Sequence, residues 1–373
     1  MHVTWSRPLV AALGTALIVL APVVASGGLV PSTGGAALPR VDPPPTAGGA
    51  AGPADTDSPA VSDGPAVSDD TTADATTPLR GADAADPFVV VDDGQARLFT
   101  TNNAAGNVPV ATGTGADGAD GVEVSDALPV LPAWAAPGFT WAPAVTSTDG
   151  GWVLAFTARH QASGRQCIGV ATSTTIDGPY TPHAEPLVCE VYRGGSIDPS
   201  FVAGVDGERW LLYKDDGNCC GLPTTLYAVP LTAGGTAIAG PPADLLVADQ
   251  PWEDGLVEAP TMRAVGDRWL LLYSGNRWDT AGYAVGAAWC DSPVGPCEKH
   301  PEPVLAAGGG VDGPGGVEFV SSVAADGLAV TFHAWPEGAV GYGDGSTRRL
   351  HVGRVEIAGD EVSITARRPA GHR

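Results

Sequence analysis

Val257-Glu258-Ala259-Pro260-Thr261-Met262 places one carboxyl group inside an apolar run, two residues ahead of a proline. A carboxylate is costly to bury in such surroundings without a partner or a task. Two further segments repeat the arrangement: Ala85-Asp86-Pro87-Phe88-Val89 and Ile197-Asp198-Pro199-Ser200-Phe201. Taken singly, Asp-Pro is ordinary turn chemistry. The spacing argues otherwise. Trp141-Ala142-Pro143 and Gly313-Pro314-Gly315 complete a series whose prolines, at 87, 143, 199, 260 and 314, stand 56, 56, 61 and 54 residues apart.

After each proline comes a short apolar run, a turn signal and a second apolar run. The turn signals are Asp93-Gly94, Asp149-Gly150, Asp206-Gly207, Gly266-Asp267 and Asp326-Gly327. Such pairs between apolar runs mark hairpins, because the tight turn needs positive φ at its centre. The second runs resemble one another, as in Trp152-Val153-Leu154-Ala155-Phe156, Trp210-Leu211-Leu212-Tyr213 and Trp269-Leu270-Leu271-Leu272-Tyr273. A further strand follows in most units. A repeat of roughly 55 residues made of several strands predicts an all-β chain folded as a five-bladed β-propeller, one small sheet per repeat. The first strand of each blade then lies nearest the axis. Asp86, Asp198 and Glu258, at near-equivalent positions in repeats one, three and four, are expected to face one another across one funnel.

The remainder of the 373 residues reads differently. Residues 1–25 have the order of a secretory signal peptide: His2 and Arg7, an apolar stretch from Leu9 to Val24, and small residues at Val23-Val24-Ala25. The apolar run is short for a membrane span, and no cysteine follows it to carry a lipid. Residues 26–80 are rich in Ala, Gly, Pro, Ser, Thr and Asp, a composition expected to remain a disordered linker. Residues 81–373 are assigned to the propeller. The formal net charge of −23 argues against nucleic acid and anionic membranes as partners and suits an extracellular, monomeric protein acting on a neutral substrate.

The six cysteines are an even number in a chain read as exported. Cys290 and Cys297 would close a short loop, and Cys167 and Cys189 would clip one blade. The adjacent Cys219 and Cys220 pair with each other or elsewhere. Spacings typical of zinc ligands are absent from the sequence.

With these motifs in order, Asp86-Pro87, Trp141-Ala142-Pro143, Ser196-Ile197-Asp198-Pro199, Val257-Glu258-Ala259-Pro260 and Gly313-Pro314-Gly315-Gly316 followed by Phe332-His333-Ala334-Trp335, the chain resembles glycoside hydrolase family 43 over about Ala82 to Arg354. That family holds five-bladed α-L-arabinofuranosidases, β-xylosidases and arabinanases. The resemblance implies an inverting enzyme with Asp86 as general base, Glu258 as general acid and Asp198 as the carboxylate that orients the acid and adjusts its proton affinity. It implies no required cofactor. His333 matches a histidine that in some members helps hold calcium, which makes it the candidate metal ligand. Two departures concern subsites: Ala144 stands where many members carry an acid, and Gly316 where many carry a histidine.

The chemistry agrees with the spacing. Glycoside hydrolysis needs one carboxyl to protonate the leaving oxygen and one to activate water, and an inverting enzyme leaves room for that water between them. Sugar rings offer apolar faces to aromatics and polar edges to amides and guanidinium groups. Trp141, Phe88, Asn276, Trp335 and Arg349 are therefore the candidate substrate contacts, with Trp252 and Trp278 nearby. Either Arg348 or Arg349 is expected to reach the funnel, whereas Trp152, Trp210 and Trp269 are placed between blades. Lys214-Asp215-Asp216-Gly217-Asn218 reads equally as a substrate loop or a solvated one. The expected function is a secreted inverting hydrolase of arabinose- or xylose-containing plant-type polysaccharides or oligosaccharides. The alternatives are a glycan-binding propeller without catalysis and a retaining β-fructosidase. Phe88, Ile197 and Ala259 stand where β-fructosidases carry Asn, Arg and Cys.

Overall fold

The second run of each repeat is apolar almost without alternation, which suits a strand covered on both faces. The computed structural model describes residues 83–92, 94–114, 123–204, 207–322, 328–343 and 345–366. In it these runs form Gln95–Phe99, Gly151–His160, Arg209–Asp215, Arg268–Gly275 and Ala329–Pro336. Each pairs antiparallel with the first run of its repeat: Phe88–Asp92, Ala135–Thr148, Ser196–Ala203, Val257–Val265 and Val311–Phe319. Two outer strands complete each blade, giving five sheets in all. The expected all-β, five-bladed propeller is the fold observed. Helix is confined, among the described residues, to three short 3-10 turns at Val191–Arg193, Gly217–Cys220 and Pro251–Glu253.

Asp149-Gly150 joins two paired strands in blade two, as Gly266-Asp267 does in blade four. Asp93, Asp206, Asp326 and Gly327 lie outside the described residues, as do the expected signal peptide and linker over residues 1–80. All described residues belong to one compact unit, Asp69–Arg373.

The cores sit between blades, which explains the unbroken apolar runs. One cluster joins blades one and two through Phe88, Phe99, Leu154 and Phe156, and another joins two and three through Ile168, Leu211 and Tyr213. Others join three to four, four to five and five to one. Leu211, Leu212, Leu270, Leu271 and Leu272 are completely buried, and each such side chain contributes about 1.5–3 kcal/mol. Trp210 and Trp269 meet edge to face across the seam of blades three and four.

The ring closes without a covalent link. Ser321–Ser322, beyond the inner strand of blade five, pairs in parallel with the inner strand of blade one. Asp83 Oδ1 accepts the Arg348 N–H, and the Ala84 N–H donates to the Arg348 carbonyl at 2.7 Å. Disulfides join Cys167 to Cys189, Cys219 to Cys220 and Cys290 to Cys297, so the adjacent pair bonds to itself.

Candidate active site

The proline motifs mark a bulge in four of the inner strands. In blade two, Trp141 to Ala144 spans three steps where its partner moves from Thr157 to Ala155 in two. The same three-for-two exchange occurs from Ile197 to Ser200 and Glu258 to Thr261, and blade five has two in succession, Asp312 to Gly315 around Pro314 and Gly315 to Glu318 around Gly316. The residue before the proline takes a left-handed φ: 52° at Asp86, 43° at Ala142, 55° at Asp198, 49° at Ala259 and 53° at Gly313. A residue before proline normally stays extended, and non-glycine residues avoid positive φ. Strain of this kind is held where the surroundings over-determine it, and a bulge turns a side chain out of the sheet's ordinary alternation. Here it turns Asp86 and Asp198 into the axis. In blade four the bulge residue is Ala259 and the acid is its predecessor, so Glu258 enters the funnel from a different backbone position.

Asp86, Asp198 and Glu258 line one funnel of about 610 Å³, a volume within the range of small-ligand sites. Asp86 Oδ2 accepts the Thr101 hydroxyl at 2.6 Å, Arg348 Nη1 lies 3.5 Å from Oδ1, and the Asp86 N–H donates to His333 Nδ1. Thr101 Oγ1 also accepts the Ala142 N–H, tying Asp86 to blade two. Asp198 Oδ2 accepts the Ala259 N–H at 2.9 Å, across the seam of blades three and four. Burial, then the nearby Glu258 carboxyl, pushes Asp198 up to about 8. Glu258 accepts from two sides: Lys214 Nζ at 2.9 Å on Oε2 and the Tyr283 hydroxyl at 2.8 Å on Oε1. Burial, reinforced by Glu258, holds the Tyr283 phenol well above its ordinary range.

Behind the acids the packing depends on glycine. Tyr283 stacks on His333, with ring centroids 5.9 Å apart. A Cβ on Gly315 would stand 2.0 Å from the Tyr283 ring, and one on Gly316 would stand 2.5 Å from His333. No side chain fits either position while these rings are in place. That accounts for Gly316 where a histidine was the family expectation. Beneath the acids, a cavity of about 30 Å³ lies among Asp86, Asp198, Ser200, Gly316 and Glu318, room for one water.

The funnel wall is aromatic and polar: Trp141, Trp278, Tyr342, Arg348, Asn102, Asp216 and Cys219. Several expected contacts sit elsewhere. Trp335 is completely buried, stacked behind Trp278 and donating from Nε1 to the Trp278 carbonyl; it supports the wall rather than forming it. Phe88 points into the core between blades one and two and reaches only the small cavity. Asn276 has φ 72°, and its amide donates to the Trp252 carbonyl, so it shapes the turn that carries Trp278. Arg348, just ahead of the strand that begins at Arg349, enters the funnel, with its guanidinium 4.6 Å over Trp278, and Arg349 does not line it.

His333 does not fit a calcium. Its Nδ1 accepts the Asp86 N–H, and burial, with Arg348 and His351 nearby, holds it neutral by lowering its proton affinity. The ring proton therefore resides on Nε2, a buried atom without a protein partner. An N–H offers no lone pair, and calcium asks for six to eight oxygens. Among the described residues no group of three or more His, Cys, Asp or Glu gathers as a metal site. The orphaned N–H suits a hydrogen-bond acceptor such as water.

A five-bladed propeller whose axis carries three carboxyl groups beneath an aromatic wall has the architecture of a glycan-processing protein. The profile of Glycosyl hydrolases family 43 matches residues 75–362. The chain belongs to that family, a class of glycosidases. It is 38% identical over 74 residues to "Xylosidase/arabinosidase 43A" of Humicola insolens, a match spanning 20% of this chain and 21% of that protein, about a fifth of the relative's length. Its fold matches an endo-1,4-beta-xylanase from Bacteroides thetaiotaomicron at TM-score 0.62 and 24% identity, covering 77% and 96% of the two chains. It also matches an alpha-L-arabinofuranosidase from Lactobacillus brevis at TM-score 0.63 and 18% identity, covering 76% and 93%.

Proposed function

We propose that the protein is a secreted, monomeric, inverting glycosidase that cleaves arabinose- or xylose-containing polysaccharides or oligosaccharides. The observation that carries this reading is the unequal environment of the funnel's carboxyls. Asp86 is hydrogen-bonded as an acceptor by Thr101 and faced by Arg348, whereas the half-buried Asp198 accepts the Ala259 N–H and is pushed up to about 8 beside Glu258. Carboxyl groups held in unlike surroundings within one funnel can take separate acid and base roles.

Asp86 takes a proton from a water whose oxygen attacks the anomeric carbon. Glu258 gives its proton to the glycosidic oxygen as the carbon–oxygen bond breaks. One displacement occurs, so the anomeric centre inverts. Asp198 orients the Ala259 backbone next to the acid and shares proton affinity with it. Trp141 and Trp278 suit the apolar faces of sugar rings, and Arg348 and Asn102 their hydroxyl edges. The relatives named for xylose and arabinose chemistry support the substrate class. No step here needs a metal or cofactor. Residues 1–25 would direct export.

The test is hydrolysis of a panel of arabinan, xylan and arabinoxylan, with proton NMR of the first-formed sugar. The expected product has the anomeric configuration opposite to the substrate's. Retained configuration overturns inversion. Binding to the panel without turnover leaves a glycan-binding propeller.

A further inference from the structure

Lys214 is a charged group of the site that the hydrolytic scheme above leaves without a task. It occupies the second strand of blade three, is completely buried, and places Nζ 2.9 Å from Glu258 Oε2 on blade four. The bulge that turns Asp198 inward also sets Lys214 opposite Ile197, beside that acid. Burying an ammonium carries a desolvation penalty that an apolar residue of similar volume avoids. Packing alone is thus a poor reason for a lysine here.

Charged groups face the pair from several elements. Asp198 on the inner strand of blade three and Asp86 on blade one are the like charges to Glu258. Asp216, just past the end of Lys214's own strand, is pushed up to about 6 by burial, and Lys214 opposes that. Asp215 points away, accepting the Thr225 N–H and the Tyr227 hydroxyl. Tyr283 donates to the other Glu258 oxygen, and Arg277 stands at the exposed rim, paired with Asp279. Burial alone would loosen the Lys214 proton, but Glu258 and Asp198 outweigh it and the ammonium is held more tightly than usual. Its positive charge is therefore constant wherever the carboxyls titrate.

We propose that Lys214 is the positioning residue that sets the acid strength of Glu258, holding its carboxyl toward the funnel and stabilising the carboxylate left after the proton has gone to the leaving oxygen. Asp198 acts in the opposite sense, since a second carboxyl beside the acid raises the cost of ionising both. The strength of the acid lies between these two neighbours. The inference rests on Glu258 as the proton donor.

The experiment compares the full chain with Lys214→Gln and Lys214→Met, using phenyl and 2,4-dinitrophenyl glycosides of arabinofuranose and xylose and recording kcat/KM against pH. A proton donor is needed for phenolate and is dispensable for dinitrophenolate. Removing the ammonium makes Glu258 hold its proton more tightly. The limb where phenyl glycoside hydrolysis falls as Glu258 ionises should then move to higher pH by about one unit or more, the usual effect of a close opposite charge. Dinitrophenyl hydrolysis should keep its profile. Equal losses on both substrates with an unmoved limb would reduce Lys214 to a structural residue and overturn the proposal. Asp198→Asn gives a second reading that does not depend on the Lys214 variants folding. With the second carboxyl of Asp198 gone, Lys214 should carry the limb below its wild-type position; a limb that stays or moves up also overturns it. Wild-type protein that hydrolyses neither these glycosides nor the polysaccharide panel would instead sink the glycosidase reading itself.

Discussion

Asp86 and Glu258 are both carboxyl groups at the mouth of one funnel, and their neighbours separate them. Asp86 meets a hydroxyl and a guanidinium, Thr101 and Arg348. Glu258 is gripped by Lys214 and Tyr283. Water attack is needed for every substrate, so Asp86→Asn should lose activity on all of them, by about 10²–10⁴-fold or more. Glu258→Gln should lose a similar factor on polysaccharide and phenyl glycosides and far less on dinitrophenyl glycosides. Steady-state rates on the two classes check both, and an Asp86→Asn enzyme of near-wild-type turnover would remove the assigned mechanism. Asp198→Asn should retain part of the activity. Burial, then the Glu258 carboxyl beside it, keeps a proton on Asp198 up to about 8, and a second carboxyl next to Glu258 raises the cost of ionising both. Asparagine removes that second carboxyl and leaves Lys214 unopposed. The pH limb set by Glu258 losing its proton should move down, read from a kcat/KM profile on phenyl glycosides.

The inner strand with its bulge is the element that makes the site. Its geometry puts a left-handed residue before proline in all five blades and gives two of those residues carboxyl groups. Blade five uses the same irregularity to admit rings instead. Gly316 has φ 58°, and its missing Cβ would lie 2.5 Å from His333 and 3.2 Å from Asp86 Oδ1. Gly316→Ala should displace both side chains. Misplacement of a catalytic group by about 1 Å can cost 10²-fold in rate, and the expected loss in kcat is of that order. Gly338→Ala is the control: φ is 73° with nothing within 4 Å of the added carbon. It should lose about 1–2 kcal/mol by urea denaturation, the cost of a left-handed L-residue, with kcat unchanged. Equal kcat in the two variants would refute the packing account.

The whole ring depends on contacts between its first and last blades. Asp83 accepts the Arg348 N–H and the Tyr342 hydroxyl, and Ala84 donates to Arg348. These contacts close the circle and hold Arg348 and Tyr342 in the funnel wall. A chain beginning at residue 75, where the family match starts, should keep wild-type activity and thermal stability. One beginning at Ala85 should lose stability and activity together. Thermal unfolding and turnover on one phenyl glycoside compare the two truncations, and indistinguishable behaviour would show that Asp83 and Ala84 do not close the ring.

Residue order alone carried the repeat, because hairpin turns and apolar strand runs are local signals that recur at a countable interval. It therefore carried the five blades and the convergence of Asp86, Asp198 and Glu258. Side-chain direction was not legible in the same way. Arg348 and Arg349 are neighbours in sequence, and it is the docking of the Arg348 backbone on Asp83 and Ala84, just before the strand begins, that sets Arg348 in the funnel wall. Trp335 and Trp278 look alike as residues near the rim, yet one lies behind the other. Phe88 follows the Asp86-Pro87 motif and turns into the core. Lys214 was readable equally as a surface loop residue or a ligand contact, since a charge normally argues for solvent. Its burial against Glu258 arises from two adjacent blades meeting, a distance in space between residues 44 positions apart, which no local signal encodes.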